Sequence, residues 1–333
     1  MKIIFSDNQL KYDPKQEFSG HDFREYPEKP DRINWIVSAI QKENNDNHEI
    51  ANPPLCEISK IAEIHDKGYI EFLKSLPTDI EEQVPMTIAP ENIKIIPDSD
   101  SLLDALLGYY FFSVDTPITP YSFSAAHHSA SSALDCVYHI MRNETISIGL
   151  SRPPGHHAMQ AKGGGYCFFN NVAIAAKEAV NRGKSVSILD LDYHHGNGTQ
   201  EIFYDTSKVQ YVSIHAKDAY PYYWGARNEI GEGDGKNFNI NYPLSNTTNS
   251  EKYDETLVKA LNDIENYSPD IVLVSMGFDA YYKDPIAGME LTQSYYQKIG
   301  KHLSNFSKLG IILEGGYSEE IGGCFMNLLN GLI

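Results

Sequence analysis

Five short apolar runs in the second half of the chain, each followed at once by residues that carry chemistry, constrain its fold most tightly. They are 145–150 (TISIGL), 185–190 (SVSILD), 209–214 (VQYVSI), 270–275 (DIVLVS) and 309–313 (LGIIL), and Gly, Pro or charged residues flank them. Continuous apolarity, rather than alternation, belongs to strands covered on both faces, and therefore to a parallel sheet. Between them, 171–181 and 250–266 read as helices with polar outer faces, the first closed by Arg182-Gly183. This alternation predicts a doubly wound α/β sheet with helices on both faces. The first 140 residues are less regular, with helices expected over 31–42, 60–76 and 122–142. Pro77, Pro85, Pro90 and Pro97 forbid a continuous helix or central strand across 76–100. We therefore expect one domain over 1–333 with a proline-rich insertion loop at about 76–100; such a loop is functional when ordered and otherwise a surface excursion.

In a doubly wound sheet, sites form just beyond the carboxyl ends of the strands. Here those ends are followed by Ser151-Arg152-Pro153-Pro154-Gly155-His156-His157, by Asp192-Tyr193-His194-His195-Gly196, by His215, by Gly277-Phe278-Asp279 and by Glu314-Gly315-Gly316-Tyr317. Five of the 12 histidines fall between residues 156 and 215. Alternate residues leaving a strand point to one side, so Asp192 and His194 can share a metal. Asp279 from another strand end makes a third ligand and leaves an open position, as in a catalytic site. An isolated Asp-x-His triplet is usually a hydrogen-bonding pair, and its company here is what points to a metal. A two-metal site would need bridging carboxylates, but Gly196 and Tyr281 stand where these would be. A single ion is therefore expected, and the donors fit Zn²⁺ or Fe²⁺.

Metal-assisted hydrolysis also needs a base and an oxyanion partner. The His156-His157 pair, tethered by Pro153-Pro154-Gly155, supplies the base. Tyr317, after two glycines, offers a hydroxyl for the oxyanion. Asp190, inside its strand, is expected to orient a histidine or, with Ser213, to hold a monovalent cation. His127-His128 lie inside a helical stretch and read as a structural pair, and Cys167 reads as a small buried thiol.

Composition removes other classes. With 27 basic and 45 acidic residues the net charge is −18, the wrong sign for a nucleic-acid binder. No apolar run reaches the ~18 residues of a membrane span, and the N-terminus turns polar too early for a signal peptide. The four cysteines are far apart and unpaired in spacing, which fits a reducing cytoplasm.

Taken together, RPPGHHA (152–158), GGGYCFFNN (163–171), ILDLDYHHGNGTQEIFY (188–204), VSIH (212–215), SMGFDAYYKDP (275–285) and EGGY (314–317) resemble the zinc-dependent deacetylase family. That family comprises histone deacetylases and acetylpolyamine amidohydrolases on an arginase-like fold. Weaker echoes at HDKGYIEFL (65–73) and EKPDRINWI (28–36) extend the likeness over nearly the whole chain. The resemblance implies that Asp192, His194 and Asp279 bind one zinc per subunit and that His157 is the general base. It implies that His156 is the partner of His157 against Asp190, and that Tyr317 polarises the acetyl carbonyl. It also implies K⁺ held by the side chains of Asp190 and Ser213 and by the backbone of Asp192 and His194.

The chain is more similar to the polyamine branch, through GYY (108–110) with Asp115, AYPYYWG (219–225) and Ile286. Gly165, Tyr166 and Tyr220 are then expected along the substrate tunnel, and Asp104 and Asp115 at its mouth, where the family has longer glutamates. The 76–100 segment falls where those enzymes carry an insertion that builds a homodimer and narrows the entrance. Asn197 stands where many histone deacetylases have an aspartate; a neutral partner raises the histidine's pKa less.

The implied activity is deacetylation of a small cationic N-acetylated amine, with N-acetyl-lysine in proteins or peptides as the alternative substrate. A catalytically silent acyl-amine binder would lack a ligand or the tyrosine, and all are present. The first hundred residues hold 11 basic and 20 acidic groups, an excess that suits a cationic amine or simply solubilises the surface.

Overall fold

The computed structural model describes residues 1–333 apart from Gly20, 44–48, Thr87, 90–100, Asn143 and Ala287. All five apolar runs form strands. In chain order the strands are β1 (Lys2–Ile4), β2 (Gln16–Phe18), β3 (Phe23–Glu25), β4 (Glu49–Ala51), β5 (Ile146–Gly149), β6 (Val186–Asp190), β7 (Val209–Ala216), β8 (Asn239–Leu244), β9 (Ile271–Met276) and β10 (Leu309–Leu313). Eight of them make one sheet, ordered β4-β1-β5-β10-β9-β6-β7-β8, and every neighbouring pair is parallel. Only β2 and β3 stand apart, as an antiparallel hairpin. This is the doubly wound α/β architecture expected.

The helices are α1 (Asp31–Lys42), α2 (Ile58–Ile61), α3 (Lys67–Lys74), α4 (Leu103–Tyr110), α5 (Ser122–Arg142), α6 (Asn171–Asn181), α7 (Asn197–Phe203), α8 (Ser250–Tyr267), α9 (Gln293–Leu303) and α10 (Ile321–Leu332). Two apolar cores flank the sheet. One joins it to α1, α8, α9 and α10, the other to α3, α5 and α6. The period of two shows inside β7, where Val212 and Ile214 enter the first core and Val209 and Tyr211 the second. Ala125, Ala126, Ala130 and Ala133, all buried, give α5 a small-residue face that packs against α6 and the sheet.

Capping explains the helix boundaries. Asn170 and Asn249 accept from the third residue of α6 and α8, and α8 ends on Ser268 in a left-handed turn. The helix expected over 60–76 is broken in two. Asp66 turns extended and accepts from the backbone of Gly68 and Tyr69, starting α3 afresh. The strands the sequence hid are short or polar: β1 and β4 have three residues each, and β8 carries Asn239, Asn241 and Pro243 at the sheet's edge. Within the expected insertion loop, Thr87 and 90–100 lie outside the described residues, while Gln83 pairs with Ile118 in an isolated bridge. No described helix is long and apolar enough to cross a membrane.

Candidate active site

The four central strands β5, β10, β9 and β6 are where the chain reverses its direction of winding, and a crevice opens beyond their carboxyl ends. A cavity of about 900 Å³ lies there, lined among others by His156, His157, His194, Gly315 and Tyr317. Because β6 and β9 are neighbours, with Asp190 opposite Ser275, residues a few positions past each strand meet. Asp192, His194 and Asp279 each offer one ligand atom, all within 4.8 Å of one another. Among the described residues this is the one such cluster, and neither Gly196 nor Tyr281 adds a bridging group. His194 Nδ1 lies 3.0 Å from Asp279 Oδ2 and 3.3 Å from Asp192 Oδ1.

The carboxylates are aimed by backbone. Asp192 Oδ2 accepts from Gly315 N–H (2.8 Å), Asp192 Oδ1 from His194 N–H (2.9 Å) and Asp279 Oδ1 from Tyr193 N–H (2.9 Å). A Cβ at position 315 would stand 2.6 Å from Asp279 Oδ2 and 2.7 Å from Asp192 Oδ2, so only glycine lets β10 approach this closely. Both carboxylates are buried. Burial first, and then the neighbouring Asp192, push the Asp279 carboxyl up to about 6. Two buried carboxylates and an imidazole nitrogen within this volume form a donor set that fits one divalent cation.

The histidine pair is split by its surroundings. His156 Nδ1 donates to Asp190 Oδ2 (3.1 Å) and its Nε2 lies 3.7 Å from Asp192 Oδ1. Burial opposes its protonation, but these two carboxylates outweigh burial and raise it. His157 is pushed the other way, well below the ordinary histidine range, by burial and then by His156 and His194. Its Nδ1 meets Asn197 Oδ1 at 2.8 Å. A carbonyl oxygen only accepts, so Nδ1 carries the hydrogen and Nε2 is the basic nitrogen. Asp190 also accepts from Tyr211 Oη (2.9 Å) and from Asp192 N–H (3.2 Å). Ser213 lies opposite Asp190 in the ladder, and its hydroxyl meets His215 Nδ1 at 2.8 Å.

Tyr317 is nearly enclosed. Its ring packs edge-on against Tyr166 (centroids 5.7 Å) and under the Arg32 guanidinium (4.7 Å). Burial pushes its hydroxyl well above the usual phenol range; Arg32 opposes, while Tyr166, Asp279 and Asp192 add to the rise. The hydroxyl thus keeps its proton and remains a donor. Tyr220 stands edge-on to His157 (5.0 Å), and Gly165, at φ +58°, passes so close to that imidazole that any Cβ would strike it.

Three expectations of position fail, those for Asp104, His215 and Glu314. Asp104 sits on α4, bonded to Gln83, and is not among the residues lining the cavity. Asp115 does line it, but its Oδ1 already accepts from Ser113, Thr116 and the Gly165 amide. His215 lies within β7 rather than past its end, and donates to Gly225 O (3.0 Å). Glu314 does not face the rim as a free carboxylate. Its Oε2 accepts from the Gly155 and His156 amides and its Oε1 from Ser275, clamping the histidine loop. His127 is structural, bonded to Cys56 O, and Cys167 is buried against Gly165 O.

Several residues of the site were not singled out by sequence. Glu28, Arg32 and Arg152 form a fully buried ion cluster, with Glu28 Oε1 2.7 Å from Arg32 Nη1 and 2.9 Å from Arg152 Nε. Arg32 then donates to the carbonyls of Glu314 and Gly316, fixing the strand end that carries Tyr317. Asp284 Oδ2 accepts the Tyr317 N–H (2.6 Å). Glu17 and Arg24 pair across the β2–β3 hairpin at the mouth. The i,i+4 spacing of Glu28 and Arg32 was the one local signal available.

This fold and this cluster are those of a metal-dependent deacetylase, and residues 26–331 match the histone deacetylase domain model. The chain belongs to that family, whose members cleave amides. Over 99% of its length it is 35% identical to acetylpolyamine amidohydrolase 2 of Pseudomonas aeruginosa, covering 98% of that protein. It is 32% identical to the acetylpolyamine amidohydrolase of Mycoplana ramosa over 100% of this chain and 99% of that one. The crystal structure of acetylpolyamine aminohydrolase from Burkholderia pseudomallei superposes over 100% of this chain and 98% of that one, with a TM-score of 0.91 at 29% identity.

Proposed function

We propose that the chain removes the acetyl group from small N-acetylated amines bearing a cationic tail, with acetylated diamines and polyamines as its substrates. The observation that carries this reading is the convergence of three unlike groups on one cavity: the Asp192–His194–Asp279 donor set, a neutral His157 and a protonated Tyr317. The whole-length likeness to acetylpolyamine amidohydrolases supports the substrate class.

Asp192, His194 and Asp279 would hold the metal, as Zn²⁺ or Fe²⁺. The chemistry such an ion supplies when bound is Lewis acidity toward a carbonyl oxygen and toward water. His157, with Nδ1–H committed to Asn197, takes the proton of the attacking water on Nε2 and returns it to the leaving amine. His156, charged between Asp190 and Asp192, balances those carboxylates. The Tyr317 hydroxyl donates to the oxygen on which negative charge develops. Gly165, Tyr166 and Tyr220 wall the chain's path, and Asp115 adds negative potential near it. Asp190 and Ser213 belong to a K⁺ site in this reading, which also takes the whole chain as one domain acting as a homodimer.

Comparing kcat/KM on N-acetylputrescine and on an acetyl-lysine peptide tests the substrate class. We expect the diamine to be preferred by about 100-fold or more; the reverse order would make the chain a peptide deacetylase. Tyr317→Phe should lower kcat by about 10²–10³-fold with metal content unchanged. Near-normal turnover in that variant refutes the role given to Tyr317.

A further inference from the structure

Each carboxylate in the cavity wall holds protein donors on one of its two oxygens. Glu17 is paired with Arg24 through Oε1, while its Oε2 is buried without a hydrogen-bond partner. Asp115 Oδ1 takes three donors, and Glu201 Oε2 accepts from Gln160 N–H (3.0 Å). The most exposed side chains at the mouth are aromatic. Tyr222, Tyr223 and Trp224 all line the cavity while 68%, 89% and 37% exposed.

These rings are held in water by a braced loop. Tyr222 adopts φ +65° and Asp218 φ +59°, conformations that side-chain-bearing residues take only where the surroundings impose them. Tyr222 N–H donates to Ala219 O and Tyr223 N–H to Pro221 O, both at 2.8 Å. At the loop's end, Gly225 donates to Glu229 Oε2 (2.8 Å) and accepts from His215 Nε2 (3.0 Å). Glu229 also accepts from Gln200, which ties the loop to α7. A braced, strained loop that keeps three large rings exposed beside a cavity marks a ligand surface. The rings continue inward, with Tyr222 6.0 Å from Tyr220 and Tyr220 5.0 Å from the His157 imidazole.

We infer that Tyr222, Tyr223 and Trp224 form an ammonium-binding rim, which grips the distal cationic end of the substrate by cation–π contact. The inference rests on the proposed function and deepens it, by naming what reads the tail. A π-face attracts a cation whether or not it is methylated, whereas a carboxylate attracts both by charge but favours the primary ammonium, to which it also hydrogen-bonds.

The test compares three N-acetyl amines of equal chain length on metal-loaded enzyme, with tails ending in a primary ammonium, a trimethylammonium or a neutral tert-butyl group. The quaternary substrate should stay within about threefold of the primary one in kcat/KM, and the neutral one should fall about tenfold. In Tyr223→Leu/Trp224→Leu the advantage of both cations over the neutral tail should disappear. If the trimethylammonium compound falls well below the primary one, or the advantage of the cations survives in the double leucine variant, a carboxylate reads the tail and the inference is overturned.

If none of the three is hydrolysed, the substrate reading fails while the rim is still measurable. In Trp35→Phe, which leaves Trp224 as the single tryptophan, hexyltrimethylammonium should quench fluorescence saturably and 1-hexanol should not. Equal or absent quenching overturns the inference. So does burial of Trp224 against a second copy, read as a dimer that the double leucine variant dissociates.

Discussion

Gly165→Ala isolates the contact that seats the base. Position 165 has φ +58°, and a Cβ there would lie 2.4 Å from His157 Cδ2, 2.8 Å from its Cγ and 2.9 Å from Tyr220 Cε1. Left-handed backbone costs an alanine about 1–2 kcal/mol. The overlap adds roughly another 1–3 kcal/mol of overpacking. Because ordinary contact begins near 3.4 Å, the imidazole or the loop must also give by roughly 1 Å, a displacement that costs about 100-fold in rate. Gly183→Ala is the control. It has φ +77° with nothing within 4 Å of its Cβ, so it carries the backbone strain without the clash. Thermal unfolding and kcat/KM on an acetylated diamine separate the two effects. Gly183→Ala should lose about 1–2 kcal/mol, a few degrees of Tm, and keep full activity. Gly165→Ala should lose more of both, with kcat down about 100-fold and metal content intact. If Gly165→Ala kept kcat/KM within about threefold, the close approach would not be what holds the base.

Three further outcomes follow from the same geometry. His65 is buried and neutral, with Nε2 accepting from Asn170 N–H (2.8 Å) and Nδ1 donating to Met159 O (3.0 Å). Burial holds its pKa down at about 4 against those carbonyls, while the unfolded chain titrates near 6.5. The unfolded state therefore binds more protons between those values, so stability falls as pH drops from about 6.5 toward 4, by up to about 3 kcal/mol. Urea unfolding across that window should show a shallower pH dependence in His65→Gln; identical slopes would contradict this. Chelation should abolish turnover and one equivalent of Zn²⁺ or Fe²⁺ per chain restore it, while Asp279→Asn should need far more metal by calorimetric titration. Asp104→Asn should leave KM within about twofold because it lies off the cavity, whereas Asp115→Asn should raise KM and lessen its salt dependence. Equal effects of the two would put Asp104 back at the mouth.

The chain's local patterns were legible wherever they spanned only a few residues. Near-continuous apolar runs gave the parallel strands, and the boundaries of α1, α5, α6 and β10 coincide with those expected. Asp66 was visible as a residue type, but whether it would cap a new helix depended on how α3 packs. The same limit applies to the site. That Asp192, His194, Asp279, His157 and Tyr317 carry chemistry followed from their positions after strands and from family likeness. That they meet followed from β9 inserting between β6 and β10, a matter of strand order that apolar periodicity does not encode.

Amino-acid order by itself determined the sheet type, the strand ends and the identity of the reactive groups, because side-chain period and strand polarity are local properties of the backbone. Tertiary structure alone decided which charges are spent on each other. Glu28 neutralises Arg32 and Arg152, Glu314 clamps the histidine loop, Glu17 holds Arg24, and Asp104 meets Gln83 outside the cavity lining. A buried charge must find a partner or lose its ionisation; Arg32 and Arg24 lie close in sequence to theirs, but Arg152 and the histidine loop are more than a hundred residues from Glu28 and Glu314 and meet them only when the layers close.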